Sequence, residues 1–449
     1  MEYSVISILI ATVLGYIAGT NLSWTSPEFT YLNQTDTGPF NGTLTDDQTS
    51  WISGLLSLGA ALGPFIFGYL SEKIGRKYTI IATAIPFIIS SVMVSFCNKV
   101  EEFYLARFIT GLAVGGTFTV LPMYVGEMSL DEHRGVLGST MNVFICFGLI
   151  FTYVVGTFIE KVMIFNLLLA VLSLAFVVAF LLLGVETPHY YVMKNKHDLA
   201  KEALLRIRKQ SDEETEKELD HIRTIIESEE QGNLLDIFKN KGYLKAFIIG
   251  AGLVLFQQLS GINAVLFFAQ TIFKDAGSTL APKYCSMIIG GVQFGTSFIT
   301  PIVSEKFGRK TLLIFSGIGM FLSESILGIY STLSKHGYEV SSLSMLPIVS
   351  LVLYIITYNV GYGPLPWAII GEIFPTSIKS AAGSMATFIC WIASFFITKW
   401  FQQLSDNLGQ GNCFLGFAVA SLIAAAFVQF FVIETKGKSL KEIQDDLNR

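Results

Sequence analysis

The sequence predicts an all-α membrane protein of twelve spanning helices in two six-helix bundles, with short cytoplasmic helices between the halves. Three observations carry this. Of 449 residues, 52% are hydrophobic and only 14% are charged, against about 25% charged in an ordinary soluble protein. The charges are clustered, and the runs between clusters approach the roughly 20 apolar residues that match a bilayer's hydrocarbon core. Finally, the chain repeats itself: Ser71-Glu-Lys-Ile-Gly-Arg-Lys77 returns as Ser304-Glu-Lys-Phe-Gly-Arg-Lys310.

In chain order the spans fall near 4–24, 51–70, 79–97, 103–124, 136–158, 163–184, 244–271, 284–303, 311–333, 345–370, 380–402 and 412–433. Residues 1–184 form the N-terminal bundle, 185–243 a linker, 244–433 the C-terminal bundle and 434–449 a tail. The apolar stretch Met1–Gly19 has no basic start and Glu2 as its only charge, so it reads as the first span rather than a cleaved leader. In the linker, Leu199, Ala203, Leu204 and Ile207, then Leu219, Ile222 and Ile226, recur at helical spacing among charges, which predicts short amphipathic helices.

Orientation follows from Lys and Arg. With the N-terminus inside, the outer loops hold six (Lys99, Lys161, Lys274, Lys283, Lys335 and Lys399), while the short inner segments hold twelve. An inner excess is the pattern cytoplasmic loops show, so both termini are expected in the cytoplasm. The first outer loop carries two acceptor tripeptides for N-glycosylation, at Asn33 and Asn41. The five cysteines show no metal-ligand spacing, and only Cys285 and Cys413 could meet outside as a pair. No nucleophile–base set, metal cluster or phosphate loop is present, which excludes the ordinary enzyme classes. No cofactor and no nucleic-acid partner are expected.

The repeat extends to a second pair of motifs. Gly126-Glu127 precedes Arg134 as Gly371-Glu372 precedes Lys379. Each heptapeptide joins the second and third spans of its half, and each Gly-Glu pair joins the fourth and fifth. Two parallel copies of a six-helix unit are a transporter architecture, with the solute site near the midplane between them. Glu72, Lys73, Arg76, Glu127 and Arg134 then form a charge network at the inner helix ends, mirrored by Glu305, Arg309, Glu372 and Lys379. Such pairs can favour one state and break in another; the plainer alternative is that the basic residues only set topology.

Uncharged polar groups mark the candidate midplane site. Gln257, Gln258 and Asn263 fall within seven residues of one span. A buried polar group in lipid is expensive unless paired, and an amide, both donor and acceptor, matches a hydroxyl. Gln257 and Asn263 do not share a face of a continuous helix, so a break near Gly261 is expected. Trp367 and Trp391 add flat apolar surfaces, each with one N–H. Gly361, Gly363, Pro364 and Pro366 crowd the tenth span and predict a kinked or broken helix acting as a hinge. Interhelical hydrogen bonding for the amides, and packing for the tryptophans and prolines, are the plainer alternatives.

Together these motifs resemble the sugar porters of the major facilitator superfamily over nearly the whole chain. The resemblance is carried by Gly68–Lys77, Arg107-Phe-Ile-Thr-Gly111, Pro122-Met-Tyr-Val-Gly-Glu127 with Arg134-Gly135, Glu186-Thr-Pro188, Gln257–Asn263, Gly363-Pro-Leu-Pro-Trp367 with Glu372, and Glu434-Thr-Lys-Gly437. Insect facilitated trehalose transporters are the nearest likeness, through Trp24-Thr-Ser-Pro27, Gly361-Tyr-Gly363 and Ile433–Gly437. The resemblance implies that Gln257, Gln258, Asn263, Gln293, Trp367, Trp391 and Asn142 contact sugar. Gln293 stands where relatives often have Asn, Asn142 where many hexose carriers have Gln, and Cys390 where some have Asn. The shorter Asn142 would leave room for a larger sugar.

Proton-coupled relatives often carry Asp where this chain has Ile17, so facilitated diffusion of a hexose or trehalose across the plasma membrane is expected, the protein acting as a monomer. The exception to an acid-free midplane is Glu324 in the ninth span, which keeps a proton-coupled symporter open as the alternative. A non-transporting sugar receptor on the same fold is the other; the short tail speaks against it.

Overall fold

The computed structural model describes residues 3–33, 40, 43–129, 134–208, 211–228, 236–275, 280–374, 376–438 and 440–448, with the backbone alone at a few of them, among them 134, 301 and 305. Asn41 lies outside the described residues, as do the side chains of Arg134 and Glu305.

The N-terminal half runs α1 (Tyr3–Leu22), a short outer continuation α2 (Thr25–Leu32), α3 (Asp46–Ile74), α4 (Arg76–Phe96), α5 (Val100–Met128), α6 (Arg134–Phe151) and α7 (Val162–Leu183). The segment between halves forms α8 (Pro188–Met193), α9 (His197–Arg208), α10 (Asp212–Ser228) and α11 (Asp236–Lys239). The C-terminal half follows as α12 (Lys241–Leu259), α13 (Ile262–Asp275), α14 (Pro282–Ser297), α15 (Ile299–Phe307), α16 (Arg309–Lys335), α17 (Leu346–Val360), α18 (Leu365–Ile373), α19 (Thr376–Leu408) and α20 (Gln410–Phe431). The tail ends in α21 (Leu440–Asn448). The helices α2 and α21 were not expected from the sequence.

Eleven helical stretches among the described residues are long and apolar enough to cross a bilayer, α12 with α13 and α17 with α18 each counting as one. The remaining span, expected over 284–303, is split into α14 and α15 at Phe298. Pro301 supplies the cause: it has no N–H for the carbonyl of Ser297, where α14 ends. Neither piece crosses alone, so the twelve-span architecture holds with this span broken.

Within the first half, α3 packs on α5, α1 on α6, and α4 on α5 and α7; within the second, α16 packs on α20 and α17, and α12 on α19. The α3–α5 seam is close enough that a Cβ on Gly59 would strike the backbone of α5 at Phe108, Gly111 and Leu112. Small residues that let backbones approach are how helices associate in lipid. The outer surface is apolar, with Leu182 72% and Phe430 82% exposed, as suits side chains facing acyl chains. The halves meet along α19 on α3, α14 on α6 and α13 on α2.

Of the linker helices, α8 and α9 pack against the first half and carry α10 with them, whereas α11 packs on α12 and α19 of the second. Ala200, Ala203, Leu204, Ile207, Leu219 and Ile222 are buried, while Leu199 faces outward. Arg208 pairs with Glu218 at 3.2 Å and donates to the Ser129 carbonyl at 3.3 Å, which fastens α9 and α10 to the inner end of α5. No disulfide joins the cysteines.

Candidate functional site

The seventh span breaks where the sequence reading put it. Helix α12 ends at Leu259, Gly261 takes φ +76°, and α13 starts at Ile262. That φ lies where only glycine sits without strain. The break is held from two sides: Ser260 Oγ donates to the Gln257 carbonyl at 2.8 Å, and Tyr354 Oη of α17 donates to the Ser260 carbonyl at 2.8 Å. The tenth span breaks as well, between Val360 and Leu365. Gln257 connects the two breaks, its Nε2 donating to the carbonyls of Tyr362 at 2.6 Å and Gly363 at 2.8 Å. Gly361, Gly363 and Pro364 make the turn itself, and Pro366 lies in the first turn of α18.

The break turns Gln258 and Asn263 toward one another. Asn263 Nδ2 donates to Gln258 Oε1 at 2.7 Å and to Ser394 Oγ of α19 at 2.6 Å. Gln258 Nε2 reaches the Cys390 thiol at 3.2 Å. Across the seam, Ser394 Oγ lies 2.8 Å from Ser57 Oγ of α3, so this amide group touches both halves. Two buried polar atoms of the second half have no hydrogen-bond partner, Trp391 Nε1 on α19, next in the chain to Cys390, and Gln293 Oε1 on α14. One accepts and the other donates. Leaving such groups unpaired costs about 1–3 kcal/mol each, and a hydroxyl can answer either one. Asn142 on α6 and Trp367 on α18 are half-buried.

At the ends expected from the Lys and Arg pattern to face outward, the two halves are bonded together over this group. Thr25 Oγ1 donates to the Phe267 carbonyl at 3.0 Å, Thr30 Oγ1 to Gln270 Oε1 at 3.0 Å, and Tyr153 Oη to the Leu266 carbonyl at 2.8 Å. Lys399, counted above as an outer-loop lysine, is 6% exposed; it pairs with Asp47 at 2.6 Å, donates to Ser50 at 2.9 Å and lies over the Trp51 ring. The sequence reading missed this closure, because its donors and acceptors are common residues in unremarkable stretches. Asn33, exposed at the end of α2, accepts from the Leu44 N–H at 3.0 Å.

At the inner ends each half holds a cluster of its own. In the first, Arg76 Nε and Nη2 both donate to Glu127 Oε1, at 3.0 and 2.8 Å, and Thr187 Oγ1 donates to Glu127 Oε2 at 2.5 Å. The Glu186 carboxylate accepts the backbone N–H groups of Arg76, Lys77 and Thr187. In the second, Arg309 Nη2 donates to Glu372 Oε1 at 3.1 Å, and Glu434 accepts the N–H groups of Arg309, Lys310 and Lys436. Lys379 lines a cavity of about 360 Å³ with Arg309, Glu372 and Thr435. Glu186 and Glu434 were seen in the sequence only as motif members; the geometry gives them work, capping the heptapeptide turn of each half. Glu72 and Lys73 do not join: both are exposed, and Lys73 lies over Tyr69 of its own helix.

Glu324 is 2% exposed on α16, and its Oε2 accepts from Ser421 Oγ of α20 at 2.9 Å. It faces the α16–α20 seam and has no hydrogen bond to the amide group.

A family model described as "sugar (and other) transporter" matches residues 5–447. The chain belongs to the sugar transporter family. This sugar transporter is 38% identical to a facilitated trehalose transporter Tret1-2 homolog of Drosophila simulans over 446 residues, 98% of the chain and 90% of the relative. It is 36% identical to the facilitated trehalose transporter Tret1 of Polypedilum vanderplanki, over 98% of the chain and 88% of that protein. Among solved structures it is similar to the inward-open xylose transporter XylE of E. coli, with a TM-score of 0.81 at 24% identity over 98% of each chain. A structure of the proton:xylose symporter XylE bound to 6-bromo-6-deoxy-D-glucose gives 0.80 at 24% identity over 99% of each. At that identity the likeness concerns the fold, and the fold is the two-bundle transporter architecture expected from the repeat.

Proposed function

We propose that this sugar transporter moves trehalose or a hexose across the plasma membrane by facilitated diffusion, as a monomer with both termini in the cytoplasm. The observation that carries the site assignment is the buried Gln258–Asn263 amide pair, which reaches both halves through Ser394 and Ser57, with the unpaired donor of Trp391 next in the chain to Cys390 and a further unpaired acceptor at Gln293. Sugar hydroxyls would complete these groups, with Gln257, Asn142 and Trp367 at the margins. Gln257 spends its N–H₂ on the tenth-span break, so its part is to couple the two broken helices more than to grip sugar. The outer bonds describe a state closed to the outside; rocking of the two halves would exchange it for one closed to the inside, with the inner clusters and the hinge around Gly361–Pro366 taking part. A carrier must also release its solute, and an affinity near 1 mM corresponds to about −4 kcal/mol.

Facilitated diffusion is supported by Ile17 in the first span and by the hydrogen bond of Glu324, which is to Ser421 of α20 and not to the amides. The test is uptake of labelled trehalose into proteoliposomes, challenged with glucose, fructose and inositol. Uptake should follow the sugar gradient and be indifferent to a protonophore. Gln258→Ala should lower it about tenfold or more, the loss of about 1.4 kcal/mol of hydrogen bonding, and Asn263→Ala likewise. Full uptake by both variants would move the site elsewhere, and collapse with a protonophore would make the protein a symporter.

A further inference from the structure

We propose that Phe118 is the inner gate of the sugar path and selects sugars by size, a role that rests on the amide group being the sugar site. Phe118 stands on α5, in the first half, yet its ring lies against two tryptophans of the second: 5.9 Å between centroids to Trp367, and 5.6 Å to Trp391, edge-on at 78°. The other aromatic contacts between halves, Phe29–Phe268, Trp51–Phe395, Phe65–Phe388 and Phe147–Phe294, lie on the α2–α13, α3–α19 and α6–α14 seams where the halves are packed together anyway. Phe118 bridges where, among the described residues, α5 makes no hydrogen bond to the second half.

Depth gives this contact its meaning. Helix α5 runs inward, and Phe118 lies ten residues before its inner end at Met128, roughly 15 Å at 1.5 Å per residue. Trp367 is in the first turn of α18, just inward of the break that Gln257 holds. Trp391 follows Cys390, whose thiol meets Gln258. Trp391 therefore lies level with the amides, between Cys390, which meets Gln258, and Ser394, which meets Asn263, while Trp367 lies on their cytoplasmic side and Phe118 packs against both, beneath a site whose outer end is closed. Phe118 is only half-buried there, with no hydrogen bond to break when it moves. A sugar leaving toward the cytoplasm must displace it. While in place, the ring offers an apolar face to the sugar's C–H surface beside the unpaired Trp391 N–H, and it limits how long a sugar can be.

Cys390, 1% exposed beside Gln258, is a built-in reporter. In inside-out vesicles, with Cys97, Cys146, Cys285 and Cys413 replaced by alanine, a membrane-impermeant thiol reagent should label Cys390 about tenfold faster in Phe118→Ala, an opening eased by about 1.4 kcal/mol. Phe118→Leu, which keeps apolar bulk and guards against misfolding, should fall between. Phe118→Ala should also raise trehalose uptake relative to glucose. Unchanged labelling in both variants overturns the gate; faster labelling with an unchanged uptake ratio overturns the selection by size. Asn263→Ala, a change at a residue whose amide bonds Gln258 and Ser394 and not the Cys390 thiol, separates this from the site assignment: it should lower uptake about tenfold or more while leaving Cys390 as slow to label as in the unaltered gate.

Discussion

The two inner clusters are built from nearly the same seven residues, yet one is closed and the other is sprung. In the first half every oxygen of Glu127 is engaged, by Arg76 on one side and Thr187 on the other. In the second, the corresponding atoms Arg309 Nε, Glu372 Oε2 and Thr435 Oγ1 are buried without a hydrogen-bond partner, around a cavity of about 360 Å³. The parts that do agree are backbone parts. Each turn glycine has positive φ, +94° at Gly75 and +85° at Gly308. Each following lysine reaches a carbonyl at the end of its half's last span, Lys77 to Leu181 at 3.0 Å and Lys310 to Gln429 at 2.8 Å. Burial separates the capping acids. It pushes the Glu186 carboxyl above the usual carboxylate range despite three backbone N–H groups. At Glu434 burial acts the same way but loses to the N–H groups of Lys436, Arg309, Lys310 and Thr435, which hold the carboxyl below that range. A duplicated motif thus keeps its turn while its side-chain bonds diverge, leaving one half rigid at its inner end and the other adjustable.

The largest expected difference is at the ion pairs. Arg76 and Glu127 are 6% and 14% exposed, against 21% and 31% for Arg309 and Glu372. Glu127→Ala strands a buried guanidinium and should lower stability by about 3 kcal/mol. Glu372→Ala should lower it by about 1 kcal/mol or less, because water already screens that pair. Unfolding of the purified variants in detergent measures both, and equal losses would erase the distinction between the halves.

Next comes the turn glycine. A Cβ at Gly75 would collide with Glu186 Oε2, and one at Gly308 would come within 2.6 Å of Glu434 Oε2. Both backbones, with ψ of 167° and 159°, lie in a region that strains other residues by about 1–3 kcal/mol. Glu186, 5% exposed and held by three N–H groups, has nowhere to retreat; Glu434, half-buried, can swing outward. Gly75→Ala should therefore exceed Gly308→Ala by about 1 kcal/mol, the part of the effect left once the shared backbone strain is removed. A larger effect at Gly308 would reverse the assignment of the rigid half.

How far the sequence foretold this depends on what kind of interaction is involved. The break at Gly261 was legible because polar residues on both sides of one glycine could share a cavity only if the helix stopped there. The tenth-span break was legible from two glycines and two prolines in six residues. The split at Phe298 was not, although Pro301 marks it, because Pro64, Pro86 and Pro122 sit inside helices that continue. Proline alone does not say whether neighbouring helices will carry the strain. The outer closure was illegible for another reason: Thr25, Thr30 and Lys399 become partners of α13 and α3 only through tertiary packing. Lys399 was even counted as a loop residue, since charge patterning cannot see a buried lysine paired across a seam. The asymmetry of the clusters was hidden most completely, since the two heptapeptides differ at one position, Ile74 against Phe307.

The smallest expected effect separates the halves by sign. Thr187 donates to Glu127 and, as the residue before α8, accepts from the Tyr190 N–H at 3.3 Å. Replacing it with the isosteric valine removes both bonds and leaves Glu127 Oε2 short of a donor, a loss of about 1–2 kcal/mol. Thr435 occupies the matching place and is 3% exposed, but its hydroxyl has no hydrogen-bond partner. Thr435→Val exchanges an unpaired buried hydroxyl for a methyl group and should be neutral or stabilising by up to about 1 kcal/mol. Melting the two variants side by side decides it: opposite signs keep the sprung cluster as described, whereas a destabilised Thr435→Val would mean that its hydroxyl is paired and that the second cluster is as closed as the first.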